Sequence, residues 1–296
     1  LHPRVRRQRQ MCIRDRVVLG TDLTGKMAVV TGAGGILCGM FARTLARAGA
    51  AVALLDINLE AAEETARDIR EAGGTAAAYG VDVMDKEMLE SVHARVLARL
   101  GPCDILINGA GGNQARANTS KEYFEMGDIE ADVATFFDME YKGVQGVLDL
   151  NFLGGFLTCQ VFAKDMVGRE GCNIINISSA SAARPLTRIP VYSGAVAALS
   201  NFTQWLAVHF AKAGIRVNAI APGFFVTRQN EGLLYEEDGK PAARTAKVLA
   251  ATPMGRFGRP EELNGALMFL LNNEAAGFIT GIILPVDGGF SAYSGV

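Results

Sequence analysis

The sequence predicts a three-layer α/β fold in which helices cover both faces of a doubly wound parallel sheet. Short β-branched or apolar runs alternate with longer amphipathic runs, which is the pattern of repeated strand–helix units. A glycine-rich stretch follows the first of these strands, at residues 32–35. The chain has 296 residues, of which 49% are hydrophobic and 20% charged, so it can bury one large core.

Composition and charge exclude several classes of partner. The formal net charge of −2 gives no reason to expect nucleic acid or anionic lipid, and no uninterrupted apolar run approaches a membrane span. The cysteines are odd in number and scattered without metal-ligand spacing, so we expect reduced thiols, a cytoplasmic protein and no metal. Residues 1–16 carry six arginines and one aspartate, and we expect a foreign or disordered basic leader before a single domain at 17–296. The five cysteines are Cys12, Cys38, Cys103, Cys159 and Cys172.

The first strand, at residues 27–31, leads through glycines into a helical run that ends near Ala50. Glycines let the backbone approach a pyrophosphate, and the helix N-terminus offers unpaired N–H groups to its charge. The predicted cofactor contacts in this unit are Gly32, Gly35, Ile36 and Leu37.

The second strand ends in Asp56, 25 residues after Thr31, where the acid that binds an adenosine ribose is expected. A carboxylate at this position accepts hydrogen bonds from both ribose hydroxyls and repels a 2′-phosphate, which favours NAD over NADP. The alternative interpretation is an acid that only opens the following helix. The third strand then ends at Asp82 and Val83, and the fourth runs into residues 108–111.

The later part of the chain carries the candidate catalytic groups. Asn151 lies in an apolar helical run, where a lone amide is costly unless its hydrogen bonds are satisfied. Ser179 follows a buried strand, and Tyr192 stands thirteen residues later at the start of a helical run. Because reactive groups in such sheets lie beyond the carboxyl ends of the strands, Ser179 and Tyr192 are expected to converge on one substrate atom.

In this order and spacing the motifs resemble those of the short-chain dehydrogenases/reductases, over residues 24–296. The resemblance implies a Rossmann-type domain, a nicotinamide cofactor, catalytic roles for Asn151, Ser179 and Tyr192, and a homo-oligomer (dimer or tetramer) built on the helix that carries Tyr192. It also implies an insertion at 112–142, either a lid or a solvated decoration with a packed aromatic underside, and a substrate loop at 228–253. The further cofactor contacts that it implies are Asp82, Val83, Asn108, Ala110, Gly111, Tyr192, Pro222, Gly223, Phe225 and Thr227.

Three departures from the family pattern stand out. Val196 occupies the position of the family's lysine, which holds positive charge near the tyrosine, so we predict impaired turnover and weakened cofactor binding. Ile36 and Cys38 stand where the family has glycines, and Gly109 stands where it has asparagine.

Within the family, residues 109–113, 184–193, 201–225 and 288–296 are similar to D-mannonate oxidoreductases, which implies a sugar acid as substrate. Its carboxylate calls for a cation, and Arg188 is the first candidate, beside Arg184 and Arg228. The alternatives are surface or oligomer contacts for these arginines. For the whole protein they are a family reductase of another polyol, ketogluconate or acyl carrier substrate, or a non-catalytic dinucleotide-binding protein.

Overall fold

The computed structural model describes residues 20–226, 234 and 242–295, and these form one seven-stranded parallel sheet in the order β3-β2-β1-β4-β5-β6-β7. This confirms the predicted doubly wound sheet. Thr227, Arg228, Cys12 and the leader lie outside the described residues. The strands are β1 Met27–Thr31, β2 Ala51–Asp56, β3 Thr75–Gly80, β4 Ile105–Asn108, β5 Cys172–Ile177, β6 Ile215–Pro222 and β7 Ile283–Val286.

The direction in which successive strands are added to the sheet reverses between β1 and β4. Val29 on β1 lies opposite Ala53 of β2 on one side and Leu106 of β4 on the other. Every residue of β1 and β4 is buried, as expected for parallel strands covered on both faces. The connection that follows β1 leads toward β2, and the connection that follows β4 leads the other way, toward β5. The two connections diverge and leave a crevice at the carboxyl ends of β1 and β4.

Helices pack on both faces of the sheet, and the sheet separates the two larger of three clusters of buried side chains among the described residues. Local capping explains where two of them begin: Asn58 accepts a hydrogen bond from Ala61 N, and Asp85 accepts one from Met88 N. The helices are α1 Ile36–Arg47, α2 Leu59–Glu71, α3 Lys86–Leu100, α4 Tyr141–Leu148, α5 Gly154–Phe162, α6 Pro190–Phe210, α7 Ala243–Ala250, α8 Leu263–Leu271 and α9 Asn273–Ala276.

One π-helical turn, Asp149–Leu153, joins α4 to α5. The combined run Tyr141–Met166 is long and apolar enough to span a membrane by length and composition alone, with a mean hydropathy of 1.3. The sequence interpretation counted only uninterrupted apolar residues and so missed this run. Its buried side chains, among them Val161 and Phe162, pack into the core cluster beneath the sheet, which is the behaviour of a core helix.

The segment 112–142 consists of extended chain with three short 3-10 helices, at Ala115–Ala117, Met126–Ile129 and Phe136–Asp138. The prediction of a packed aromatic underside is wrong, because its aromatic side chains are exposed: Phe136 and Phe137 are 70% and 72% exposed and contact each other edge to face. Within the predicted substrate loop at 228–253, the structure forms the two-turn helix α7.

Candidate active site

A cavity of about 600 Å³ opens at the carboxyl ends of β1, β2, β3 and β4. It brings together residues from these four separate strand–helix turns, as the topology of the sheet requires. Residues that the sequence did not predict as cofactor contacts also line it, among them Cys38 and Leu150. The predicted cofactor residues that line it are Gly32, Gly35, Ile36, Leu37, Asp56, Asp82, Val83, Ala110 and Gly111.

The glycine loop fits closely around this cavity. Gly32 has φ +68°, a left-handed conformation that favours glycine. A Cβ atom on Gly34 would lie 2.8 Å from Ala61 Cβ and 3.1 Å from Asp56 Oδ2, so only glycine lets α2 come this near. The first helical turn of α1 follows at Ile36, with its N-terminal N–H groups at the cavity. The loop therefore has the open backbone and positive helix end that a pyrophosphate needs.

Asp56 is fixed at the end of β2 by two backbone N–H groups. Its Oδ2 accepts a hydrogen bond from Gly34 N at 2.9 Å, and its Oδ1 accepts one from Asn58 N at 2.8 Å. Each carboxylate oxygen has two lone pairs, so both oxygens can still accept hydrogen bonds from a ribose. The carboxylate thus joins the glycine loop to the start of α2 and also faces the cavity.

Asn108 differs from its prediction as a cofactor contact, because its side chain does not line the cavity. Its Nδ2 donates to Asn176 Oδ1 at 2.8 Å and to Cys159 Sγ at 3.1 Å, inside the core. The neighbouring turn is held instead by Thr31, whose Oγ1 accepts hydrogen bonds from Gly109 N at 3.0 Å and Ala110 N at 3.1 Å. Thr31 therefore joins the carboxyl ends of β1 and β4.

The predicted nicotinamide stretch follows β6. Pro222 is the last residue of β6, and Gly223 packs against Asp287, which a Cβ atom on Gly223 would approach to 2.6 Å. The Phe225 side chain is buried in the core against Gly258 and does not line the first cavity. The predicted contact Thr227 lies outside the described residues.

Ser179 and Tyr192 meet beyond the end of β5, as the sequence predicts. Ser179 begins the 3-10 helix Ala180–Ala182, and its Oγ accepts hydrogen bonds from Ser181 N at 3.2 Å and Ser181 Oγ at 3.0 Å. Burial raises the pKa of the Tyr192 hydroxyl, and a hydrogen bond with Ser179 lowers it in part. The serine thus contacts the same phenol oxygen that would exchange a proton with a substrate.

Val196 lies one helical turn after Tyr192 on α6 and is 2% exposed. Its backbone oxygen accepts hydrogen bonds from Ser200 Oγ at 2.9 Å and Ser178 Oγ at 3.3 Å. Among the described residues, no cation contributes to the pKa of Tyr192. The position that the family gives to a lysine is therefore filled here by an uncharged, buried side chain.

Asn151 lies at the centre of the π-helical turn and is 5% exposed. Its Oδ1 accepts a hydrogen bond from Gly112 N at 3.0 Å, and its Nδ2 donates to Gly112 O at 2.7 Å and to Val147 O at 2.8 Å. The amide therefore ties the turn after β4 to this helix and also donates to a carbonyl one turn before it.

A second cavity, of about 460 Å³, opens beside the start of α6. Arg188, predicted as the substrate cation, lines it, and Arg188 Nε donates a hydrogen bond to Thr119 O of the insertion at 3.3 Å. The wall opposite is α7, which adds Arg244 and Lys247. Lys247 Nζ lies 2.7 Å from Glu122 Oε1 of the insertion.

This second cavity is attached directly to the helix that carries Tyr192. Leu186 N, in its wall, donates a hydrogen bond to Ser193 Oγ at 3.2 Å. Phe224, which follows the predicted nicotinamide residue Gly223, lines the cavity as well. A ligand in this cavity would therefore contact the segment between Ser179 and Tyr192 and the residue after Gly223.

Sequence reasoning placed Arg184 at the pocket and missed Arg244 and Lys247. The Arg184 guanidinium instead donates to the backbone oxygens of Phe290 and Tyr293 and holds the C-terminal segment. Arg244 and Lys247 are three residues apart, which puts them on one face of a helix. That spacing can be read from the sequence. It indicates a site for an anionic substrate only once the structure shows that α7 and Arg188 line the same cavity.

Comparison with known proteins identifies the family. The family model described as enoyl-(acyl carrier protein) reductase matches residues 35–291. An uncharacterised oxidoreductase of Haemophilus influenzae is 54% identical over 275 residues, covering 93% of this chain and 96% of that protein. An uncharacterised oxidoreductase of Bacillus subtilis, UxuB, is 49% identical over 281 residues, covering 95% of this chain and 100% of that protein.

A solved structure agrees with these sequence relatives. A candidate D-mannonate oxidoreductase of Haemophilus influenzae, crystallised with bound NAD, superposes with a TM-score of 0.91 at 53% identity. The match covers 95% of this chain and 100% of that protein. With the crevice at the strand ends, the serine–tyrosine pair and these relatives, the chain belongs to the short-chain dehydrogenase/reductase family of oxidoreductases.

Proposed function

We propose that this protein is an NAD(H)-dependent oxidoreductase that interconverts a hydroxyl and a ketone on a sugar acid of the D-mannonate/D-fructuronate type. The observation that carries the proposal is the second cavity, which lies beside the start of α6, the helix that carries Tyr192, and is lined by three cations and a single carboxylate, Glu122. A cationic cavity suits a substrate that combines a carboxylate with several hydroxyl groups. The similarity to the candidate D-mannonate oxidoreductase supports the same substrate class.

The first cavity has the features that NAD requires. Asp56 can accept hydrogen bonds from both hydroxyls of an adenosine ribose, and its charge disfavours the 2′-phosphate of NADP. The open backbone at Gly32 and Gly34 and the N-terminus of α1 suit a pyrophosphate. When bound, NADH would supply the hydride that the substrate carbon gains in reduction, and NAD⁺ would accept the hydride that it loses in oxidation.

The protein's own residues act on the substrate oxygen. In the reducing direction the Tyr192 hydroxyl donates a proton to the carbonyl oxygen, and Ser179 donates a hydrogen bond to that oxygen as negative charge develops. In the oxidising direction the Tyr192 phenolate accepts the proton. Arg188 and Arg244 hold the substrate carboxylate in the second cavity, which orients the reacting carbon toward Tyr192.

Homo-oligomer formation through α6 belongs to the same proposal, because Trp205 on that helix is 56% exposed.

The uncharged residue at position 196 determines how fast we expect the protein to turn over its substrate. Burial raises the pKa of Tyr192, and the uncharged Val196 does nothing to lower it. The phenolate form is therefore scarce near neutral pH, and a positioned cation would stabilise it. General acid–base catalysis contributes about 10²- to 10⁴-fold, so we expect slow turnover by the chain as written.

The test is NADH oxidation with D-fructuronate, comparing the wild-type chain with Val196→Lys. We expect the lysine to raise kcat by about 10²-fold or more. In the oxidising direction the rate rises with pH up to the pKa of Tyr192, so lysine should also move this rise to lower pH. Val196→Met is the matched control, because it has similar length without charge, and it should change neither kcat nor the pH profile in this way.

The outcomes separate the proposal from its alternatives. NADH binding without turnover on D-fructuronate by either the wild type or Val196→Lys would contradict the sugar-acid assignment. Turnover on a panel of neutral polyols or ketones alone would then favour another reductase. If no ketone is turned over although NADH binds, the non-catalytic dinucleotide-binding protein is the better description. Equal rates for Val196→Lys and Val196→Met would show that charge at this position is not the limiting feature.

A further inference from the structure

The cofactor loop departs from the family pattern at two positions that lie against each other. Cys38 stands on the third residue of α1, where the family has a glycine, and Gly109 follows β4, where the family has an asparagine. A Cβ atom placed on Gly109 would lie well inside 3.0 Å of Cys38 Sγ, closer than real Cβ atoms approach any atom. The sulfur therefore fills the space that a side chain at position 109 would take.

The sulfur has little freedom to move aside. Cys38 is 5% exposed and belongs to a core cluster with Val30 and Ile107. In a helix, one of the three side-chain rotamers is excluded by the preceding turn, which limits the escape routes of the sulfur. The remaining neighbours of a Cβ at Gly109 are looser, with Thr31 O at 3.2 Å and Ile177 Cγ1 at 3.4 Å. Cys38 is thus the main obstacle to a side chain at this position.

The contact bears on the part of the cavity suited to a pyrophosphate. Cys38 belongs to the first turn of α1, whose earliest backbone hydrogen bond runs from Gly39 N to Gly35 O at 2.8 Å. The N–H groups of residues 36–38, in the first turn, therefore have no acceptor within the helix and point out of its N-terminus. Pushing Cys38 away from Gly109 would displace these donors. Both residues line the same cavity.

We propose that Cys38 and Gly109 are a matched positioning pair, in which the sulfur and the missing side chain together set how closely the α1 N-terminus and the turn after β4 approach the pyrophosphate of the dinucleotide. The proposal rests on the proposed NAD binding. Neither residue is required to touch the reacting atoms. The two departures from the family pattern therefore compensate each other.

The test is a double-mutant cycle with Gly109→Ala, Cys38→Ala and the double variant, with NAD⁺, ADP and adenosine as probes in titration calorimetry. We expect Gly109→Ala to weaken NAD⁺ and ADP binding by about tenfold or more and adenosine binding by less than about threefold. Cys38→Ala alone should weaken NAD⁺ binding by about threefold, less than Gly109→Ala does, because it loosens the contact without pushing the two segments apart. The double variant should bind NAD⁺ within about threefold of the wild type, because removal of the sulfur makes room for the new methyl group.

A neighbouring glycine provides the matched control. A Cβ atom on Gly111 would lie 2.7 Å from Asn151 Oδ1 and not against the sulfur, so Cys38→Ala should not restore any NAD⁺ affinity that Gly111→Ala loses. Thermal denaturation of each variant shows whether it folds. If Gly109→Ala alone does not fold, a double variant that folds and binds NAD⁺ supports the pair.

Three results would overturn the proposal: unchanged NAD⁺ affinity in Gly109→Ala, an equal loss for adenosine and ADP, or a folded double variant that stays as weak as the single one. Failure of the wild-type chain to bind NAD⁺ is a different result, because it contradicts the proposed function itself.

Discussion

At the scale of single residues, Asp56 is the residue whose effect on the choice between NAD⁺ and NADP⁺ can be tested most directly. Its carboxylate is fixed by Gly34 N and Asn58 N and faces the cofactor cavity. We expect Asp56→Asn to weaken NAD⁺ binding and strengthen NADP⁺ binding, because the repulsion of the 2′-phosphate is lost. The ratio of the two affinities should fall by at least about tenfold, or about 1.4 kcal/mol. Titration with both dinucleotides measures this ratio.

Asp82→Asn is the control for this prediction. Asp82 lines the same cavity, but its Oδ1 accepts a hydrogen bond from Met84 N at the end of another strand. The NAD⁺ to NADP⁺ ratio should therefore stay within about threefold of the wild type in Asp82→Asn. A ratio that moves equally in both variants would show that the cavity responds to net charge and not to the position of Asp56.

The arginines of the second cavity allow a second prediction at this scale. Arg188→Gln and Arg244→Gln should each raise the KM for D-fructuronate by about 10- to 100-fold, since a hydrogen bond to a charged group contributes about 1.5–3 kcal/mol. The KM for a neutral ketose should not follow. Steady-state kinetics, in whichever of the wild-type and Val196→Lys chains turns over, supply both values. Arg184→Gln is the control, because that side chain does not line the cavity and donates to the backbone oxygens of Phe290 and Tyr293 instead.

At the scale of elements, the π-helical turn joins the cofactor crevice to the helix below it. Asn151 makes three hydrogen bonds there, a buried one to Val147 O and two part-buried ones to Gly112. Asn151→Leu should lower the free energy of unfolding by about 2–4 kcal/mol, because it removes all three bonds and with them the connection between the turn after β4 and the helix. Urea denaturation measures the loss.

Thr158→Val on the same helical run is the matched comparison. Thr158 is buried, and its Oγ1 donates a single hydrogen bond to Gly154 O within α5. We expect a loss of about 1 kcal/mol for this bond. Equal losses in the two variants would mean that the connection between Asn151 and Gly112 adds nothing beyond an ordinary helical hydrogen bond.

The elements also show what the sequence can predict. The strands were predictable because parallel strands buried on both faces are apolar throughout, and their carboxyl ends carry Asp56, Ser179 and the glycines. The aromatic residues of 112–142 gave no such signal, since they lie exposed. Arg244 and Cys38 could not be assigned from spacing, because their partners Arg188 and Gly109 are distant in the chain. The family motifs therefore locate the site from the sequence. The departures from those motifs are explained only by the residues that lie next to them in the folded protein.

At the scale of the whole molecule, acid stability should depend on carboxylates held by hydrogen bonds. The Arg256 guanidinium beside Glu262 lowers the pKa of that carboxyl to about 2, and Lys121 lowers the pKa of Asp128. The unfolded chain has ordinary values near about 4 and therefore binds more protons in this range. The free energy of unfolding should thus be constant above about pH 5 and should fall as the pH approaches about 2.

Urea unfolding from pH 6 down to pH 2.5 checks this sign. Glu262→Gln should make the pH dependence shallower, since it removes one carboxylate with a lowered pKa. Glu261→Gln is the control, because the described residues give Glu261 no ion-pair partner. A pH dependence that is identical in Glu262→Gln and the wild type would contradict the assignment to this pair.

The order of the strands has a consequence for synthesis on the ribosome. β1 pairs with β4, whose paired residues 105–107 are synthesised much later. The first strand therefore has no second neighbour until these residues have left the ribosome. The described lining of the dinucleotide cavity ends at Leu150, whereas that of the second cavity extends to Phe290. A nascent chain about half made thus already holds the described lining of the dinucleotide cavity, but not Tyr192 or residues 222–223, which are predicted cofactor contacts in the later half. The part of the site suited to the adenosine and pyrophosphate is therefore synthesised well before the part suited to the nicotinamide and the substrate.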